Sequence, residues 1–149
     1  MLNRAYKYAI AYFLLFALLL FITATLIFAQ KIGFSPTSVV HYYLGDQANF
    51  TPAKTYAGTL KIILPHIFAY GLFLMTLLHF LIFTKKRNAR SLLWLIYLSL
   101  ISAFLELFSP FMILLGFEFF AYIKLFSFFL FEFLMLFVLF LLFKSILYE

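Results

Sequence analysis

Long stretches of hydrophobic residues dominate the pattern of this chain. Four of them, separated by more polar segments, cover about residues 8–29, 62–83, 92–108 and 122–143. A helix needs about 20 mainly apolar residues to cross the hydrocarbon core of a bilayer, and the stretches are close to that length. They lack the period-two alternation of barrel strands. The pattern therefore predicts four transmembrane helices, which short connections would join into an up-down bundle.

The composition supports a membrane location for the whole chain. Apolar residues make up 67% of the 149 residues and charged residues 11%, whereas soluble domains carry about 25% charged residues. So few polar groups would not cover the surface of a soluble domain of this size. The absence of cysteine excludes disulfides and thiolate metal sites. We therefore expect an all-α integral membrane protein, with residues 1–149 forming one membrane domain in contact with lipid.

Basic residues indicate the orientation of the bundle. The net charge of +6 is better explained by the positive-inside rule than by a nucleic-acid partner. One side of the membrane would carry the basic residues of the two chain ends and of the link between the second and third spans: Arg4, Lys7, Lys85, Lys86, Arg87, Arg90 and Lys144. The other side would carry Lys31, Lys54 and Lys61. These positions predict that both termini lie in the cytoplasm and that segment 30–61 lies outside, which is the periplasm if the cell is Gram-negative.

The segment over residues 30–61 contains signals for local structure. Ser35 followed by Pro36 is typical of a helix start, and Gly45 of a helix end. We predict a short periplasmic helix between them. Thr51-Pro52 repeats the start signal and predicts a helix that leads into the second span.

Ionisable residues inside the predicted spans are the candidates for function, because they are costly in lipid and usually face the bundle interior. His66, Glu106 and Lys124 lie about 6, 5 and 3 Å inside the periplasmic ends of their spans at 1.5 Å per residue. Tyr70 lies one turn below His66. Two interpretations stay open: a neutralising Glu106–Lys124 pair beside a hydrogen-bonded His66, or a ligand or proton site.

Glu132 lies deeper than this layer, near the bilayer midplane and about 12 Å below Lys124. A carboxyl group without a cation at that depth is expected to carry a proton, because desolvation disfavours its charged form. Thr76, Ser99 and Ser102 are candidate hydrogen-bond partners on other helices. Glu132 therefore predicts either an interhelical hydrogen bond or a proton relay and quinone contact.

Histidines raise the possibility of haem b, with His66 as an iron ligand. His79 lies about 20 Å from His66 along the helix and about 140° around its axis, so the two would not share one haem face. His41 is the one other histidine, and it would reach a haem on His66 if the short periplasmic helix folded over the bundle mouth.

Several short motifs are similar to those of a bacterial family. They are Tyr42-Tyr43-x-Gly45, Pro52-x-Lys54-Thr55-Tyr56, Pro65-His66-Ile67-Phe68-x-x-Gly71, Leu78-His79 and Ala121-Tyr122-x-Lys124-Leu125-x-Ser127. The chain resembles a family of small, poorly characterised four-helix inner-membrane proteins with a YYxG outer loop and two histidines on the second helix. The resemblance implies that this loop and His66 with His79 belong to one functional unit. Members often carry a further histidine two positions before the one matching His66, where this chain has Leu64, and that difference weakens a metal or haem site.

Three functions fit these features. The preferred one is an accessory subunit of a membrane electron-transfer complex, binding haem b or quinone through His66, His41, His79 and Tyr70. The second is a structural anchor subunit of a membrane complex, without redox chemistry. The third is a proton- or solute-conducting oligomer, with Glu106 and Glu132 lining the path. We do not expect enzymatic turnover by this chain alone, and we expect other membrane subunits as partners.

Overall fold

A computed structural model describes residues 4–84 and 90–148 of the chain. The described residues form five α-helices: α1 (Arg4–Lys31), α2 (Pro36–Leu44), α3 (Tyr56–His79), α4 (Arg90–Leu114) and α5 (Phe120–Tyr148). A 3₁₀ turn over Phe80–Phe83 follows α3, and these ranges contain no strand. The basic residues Lys85, Lys86 and Arg87, on which the predicted orientation partly rests, lie outside the described residues.

Four of the helices are long and apolar enough to cross a membrane: Arg4–Lys31, Tyr56–Ile82, Arg90–Leu114 and Phe120–Ile146. The prediction of an all-α, four-span membrane protein is therefore confirmed. The third span runs further than the sequence pattern suggested, because α4 continues through Pro110 to Leu114. Proline inside a helix leaves the carbonyl four residues earlier without its backbone donor, and here that carbonyl belongs to Glu106.

Small side chains bring α4 and α5 into the closest pairing of the bundle. Ser99, Ser102, Ala103 and Ser109 of α4 are all buried. The three serine hydroxyls donate to carbonyl groups of α4 itself, so they bury no unpaired polar group. Small residues let helix backbones approach closely in lipid, where packing replaces the hydrophobic effect as the driving force. The α4–α5 pair is therefore the base on which the other helices pack.

The remaining long helices each pack on one member of this pair and also contact each other. α1 packs on α5, and α3 packs on α4. α1 and α3 meet mainly through aromatic side chains, with Phe73 contacting Phe13 and Phe21 at ring-centroid distances of 6.0 and 5.5 Å. Phe80 lies 5.2 Å from Phe13 in an edge-on contact. The contacts between α1 and α3 are thus made by aromatic rings rather than by close backbone packing.

The short helix α2 covers one end of the bundle, which we call the cap end. Ser35 caps its N-terminus, accepting from the Ser38 N–H at 3.0 Å while the Ser38 hydroxyl accepts from the Ser35 N–H at 3.2 Å. Gly45 at φ +85° terminates it. Val39 and Tyr43 are buried in an apolar cluster with residues of α1, α4 and α5. The short helix expected from the Ser-Pro and Gly signals is therefore present and packs onto the bundle.

The chain between α2 and α3 differs from the prediction. No helix begins at Thr51-Pro52, because Thr51 pairs through its backbone with Asp46. The Lys54 N–H donates to the Tyr43 carbonyl at 2.9 Å. The helix starts only at Tyr56, where the Thr55 hydroxyl accepts from the Gly58 N–H at 3.0 Å. A capping threonine does start this helix, as predicted, but the residue is Thr55 rather than Thr51.

The loop over residues 46–51 should open at low pH. Hydrogen bonds from Asn49, Ala48 and His41 lower the pKa of the Asp46 carboxyl group, with Asn49 contributing most. A carboxyl group with a lowered folded pKa stabilises the fold above its ordinary pKa, and this contribution is lost as pH falls through the folded value. We expect amide hydrogen exchange at Ala48 and Thr51, corrected for intrinsic rates, to increase between pH 7 and about pH 3.

Replacement of Asp46 by asparagine is the control for this prediction. The Asp46→Asn side chain does not titrate, so amide exchange in its loop should not respond to pH over the same interval. Equal pH dependence in both proteins would show that Asp46 does not hold the loop.

Candidate functional site

A cavity of about 440 Å³ lies between α1 and α3 below the cap helix. Most of its walls are apolar, and it is partly open on the side where α1 faces α3. Polar side chains from all five helices contribute to its lining: Lys31, Tyr42, Tyr43, His66, Tyr70, Glu106, Lys124 and Glu132. An apolar cavity of this size with a few converging polar groups is typical of a small-molecule site.

The Glu106–Lys124 ion pair forms the polar floor of the cavity. Glu106 is 7% exposed and Lys124 5% exposed, and the Lys124 Nζ donates to the Glu106 carboxylate. Lys124 Nζ also donates to the Glu106 backbone carbonyl at 2.9 Å. That carbonyl is the one that Pro110 leaves without a backbone donor. The Lys124 ammonium group therefore neutralises the buried Glu106 carboxylate and supplies the hydrogen-bond donor that the Glu106 carbonyl lacks.

Two tyrosines flank the Glu106 carboxylate. Tyr70 of α3 interacts with Glu106, and its ring stacks on Phe131 at 4.9 Å. Tyr43 of the cap helix lines the same cavity and lies near enough to Glu106 to feel its charge. Burial, with a smaller contribution from Glu106, raises the pKa of the Tyr43 phenol, so its hydroxyl keeps its proton. Tyr70 thus lies beside the ion pair on α3, and Tyr43 lies near it on the cap helix.

His66 presents a free nitrogen to the cavity. Its Nδ1–H donates to the Ile62 carbonyl of its own helix at 2.6 Å, which assigns the proton of the neutral ring to Nδ1. Nε2 is then left with a lone pair that can accept a hydrogen bond. The ring lies edge-on to Tyr70, with the centroids 6.2 Å apart. His66 therefore offers a hydrogen-bond acceptor beside the Tyr70 ring.

Glu132 lines the same cavity and is only partly buried. The expected hydrogen bonds to Thr76, Ser99 and Ser102 are not present, because these hydroxyls donate to carbonyls of their own helices. Among residues 4–84 and 90–148, no side chain forms a hydrogen bond with its carboxyl group. The Glu132 carboxyl group is thus available to a bound molecule.

The other two histidines lie away from this site. His41 is exposed on α2, and its Nδ1 pairs with the Asp46 carboxylate at 3.0 Å. The cap helix does fold over the bundle mouth, but His41 does not line the cavity. His79 is exposed at the far end of α3. In the described part of the chain, no group of three or more His, Asp or Glu side chains is placed to hold a metal ion.

The structure therefore brings together five of the seven residues singled out from the sequence: His66, Tyr70, Glu106, Lys124 and Glu132. Sequence reasoning named Tyr43 only as part of the Tyr42-Tyr43-x-Gly45 motif and did not place it at this site, and it missed the role of Pro110. The role of Pro110 could have been predicted from its spacing, because a proline four residues after Glu106 leaves the Glu106 carbonyl without a backbone donor. The site can donate, accept and transfer protons within an apolar enclosure.

Fold and cavity together define a multi-pass helical membrane protein with an enclosed, partly polar site. A family model described as a transmembrane helical domain (Aq_1264_TM) matches residues 33–149. The chain belongs to this family, and the matched region contains the cap helix and three of the four spans. No curated protein and no solved structure matches the chain.

Proposed function

We propose that this chain is a small membrane subunit that binds a quinone from the bilayer and serves an electron-transfer complex. The observation that carries the proposal is the cavity between α1 and α3, where His66, Tyr70 and Glu132 line a mainly apolar enclosure. A quinone has an apolar ring with two carbonyl oxygens, and its reduced form has two hydroxyl groups. The Glu132 carboxyl group, when protonated, would donate to the oxidised form, and His66 Nε2 would accept from the reduced form.

The charge balance of the site favours a neutral head group. The Glu106 and Lys124 charges neutralise each other, so the floor of the cavity carries no net charge, and Lys31, the other lysine in the lining, is exposed. A buried charge without a partner is strongly unfavourable. Quinone and quinol are both neutral, and their interconversion needs two protons, which would pass through Glu132. The electrons would come from the partner complex.

The geometry supports quinone more than haem b. A haem held by two histidines would need a second ligand opposite His66, and neither His41 nor His79 lines the cavity. We further propose a bacterial inner-membrane location with both termini in the cytoplasm, on the distribution of basic residues. The cavity would then open within the periplasmic leaflet.

Calorimetric titration of the purified protein with a short-chain benzoquinone tests the proposal. We expect saturable binding that weakens at least tenfold, or about 1.4 kcal/mol, in His66→Ala and in Glu132→Gln. His79→Ala and Glu118→Gln are matched controls, because both residues are exposed outside the cavity, and they should bind as the unaltered chain does. Failure to bind quinone, or equal binding by all variants, would contradict the proposal. Stable co-purification with a partner without quinone binding would favour the anchor role instead.

A further inference from the structure

We infer that the ligand carries a long apolar chain, which lies in a groove between α1 and α3; this inference rests on the proposed function. The groove is a second cavity of about 460 Å³, and its walls are apolar. It is lined by Leu20 of α1 and by Phe68, Ala69, Leu72, Phe73 and Thr76 of α3. The one hydroxyl there, that of Thr76, donates to the Leu72 carbonyl at 2.8 Å and is not left for a ligand.

The groove adjoins the first cavity. Leu20, Ala69 and Phe73 line both spaces. Along α3, the step from His66 to Thr76 is about 15 Å at 1.5 Å per residue, which is half the thickness of the hydrocarbon core. A head group at His66 would therefore direct its chain away from the cap end and toward the bilayer midplane.

This direction matches that of a lipid in the leaflet at the cap end. A chain-bearing molecule in that leaflet already has its head group near the membrane surface and its chain toward the midplane. It could move sideways between α1 and α3 without turning over.

The test compares two quinones with one head group, a short-chain form and a form with a long isoprenoid chain. Both are titrated into the full-length protein in lipid nanodiscs. The variants are Phe68→Ala and Leu72→Trp on the groove wall, where the two side chains are 76% and 77% exposed and line the groove but not the first cavity. Ile67→Phe is the matched control, because Ile67 is exposed on the same helix and lines neither space.

We expect both groove variants to weaken binding of the long-chain quinone at least tenfold relative to the unaltered protein. Binding of the short-chain form should stay within twofold, and Ile67→Phe should change neither affinity. Comparing each variant with the unaltered protein cancels the stronger partitioning of the long chain into lipid. Equal effects on the two quinones, or none on either, would overturn the chain groove while leaving the proposed function intact. Absence of binding of either quinone by the unaltered chain would overturn the proposed function itself.

Discussion

Replacing Lys124 with methionine should lower the free energy of unfolding by about 3–5 kcal/mol, because it leaves the buried Glu106 carboxylate without a counter-charge. The same change removes the donor to the Glu106 carbonyl that Pro110 has freed. Methionine keeps most of the length of the lysine side chain, so little of the loss would come from a cavity. Thermal unfolding of the detergent-solubilised protein, followed by circular dichroism, measures the effect.

Further variants separate the two roles of Lys124. Glu106→Gln combined with Lys124→Met removes both charges and should recover most of the stability, since the cost of breaking a buried pair comes mainly from the unpaired partner. The unsatisfied Glu106 carbonyl should leave a deficit of about 1–3 kcal/mol. Adding Pro110→Ala restores a backbone N–H to that carbonyl and should remove this deficit.

Lysine elsewhere provides the control. Lys61→Met replaces an exposed lysine of α3 and should change stability by less than about 0.5 kcal/mol. Stability of Lys124→Met equal to that of Lys61→Met would show that the ion pair contributes nothing to the fold. A double variant as unstable as Lys124→Met would show that the loss does not arise from an uncompensated charge.

The sequence predicted the features that follow from the solvent. In lipid, backbone groups must be paired within the chain, so long apolar stretches indicate helices directly. Charged groups at similar depth also tend to pair, which explains why Glu106 and Lys124 were matched from their positions alone. Ser35-Pro36 and Gly45 indicated the cap helix for a similarly local reason, because capping residues act on the backbone next to them.

The remaining features depended on which of several possible partners each polar side chain binds, and the sequence does not show that choice. Glu132 was matched with Thr76, Ser99 or Ser102 by depth, but each hydroxyl bonds to a carbonyl within its own helix, as serine and threonine often do inside helices. His41 lies on the helix that covers the site, yet a loop carboxylate only five residues away holds it outside. Short-range partners prevailed in both cases, since bringing them together costs less chain entropy.

Replacing Ser102 with phenylalanine should destabilise the fold by about 3 kcal/mol, at the upper end of the usual cost of overpacking. Ser102 is 1% exposed and lies where α4 packs most closely on α5, so a ring there would force the helices apart and disturb the Glu106–Lys124 pair one turn away. Ile101→Phe places the same ring on the preceding residue, which is 55% exposed, and should leave unfolding in detergent nearly unchanged. Ser102→Ala should also be tolerated, because it removes only a hydroxyl bonded within α4. Equal stability of the two phenylalanine variants would mean that small residues do not determine how α4 and α5 pack, and the geometry of the buried ion pair would then need another cause.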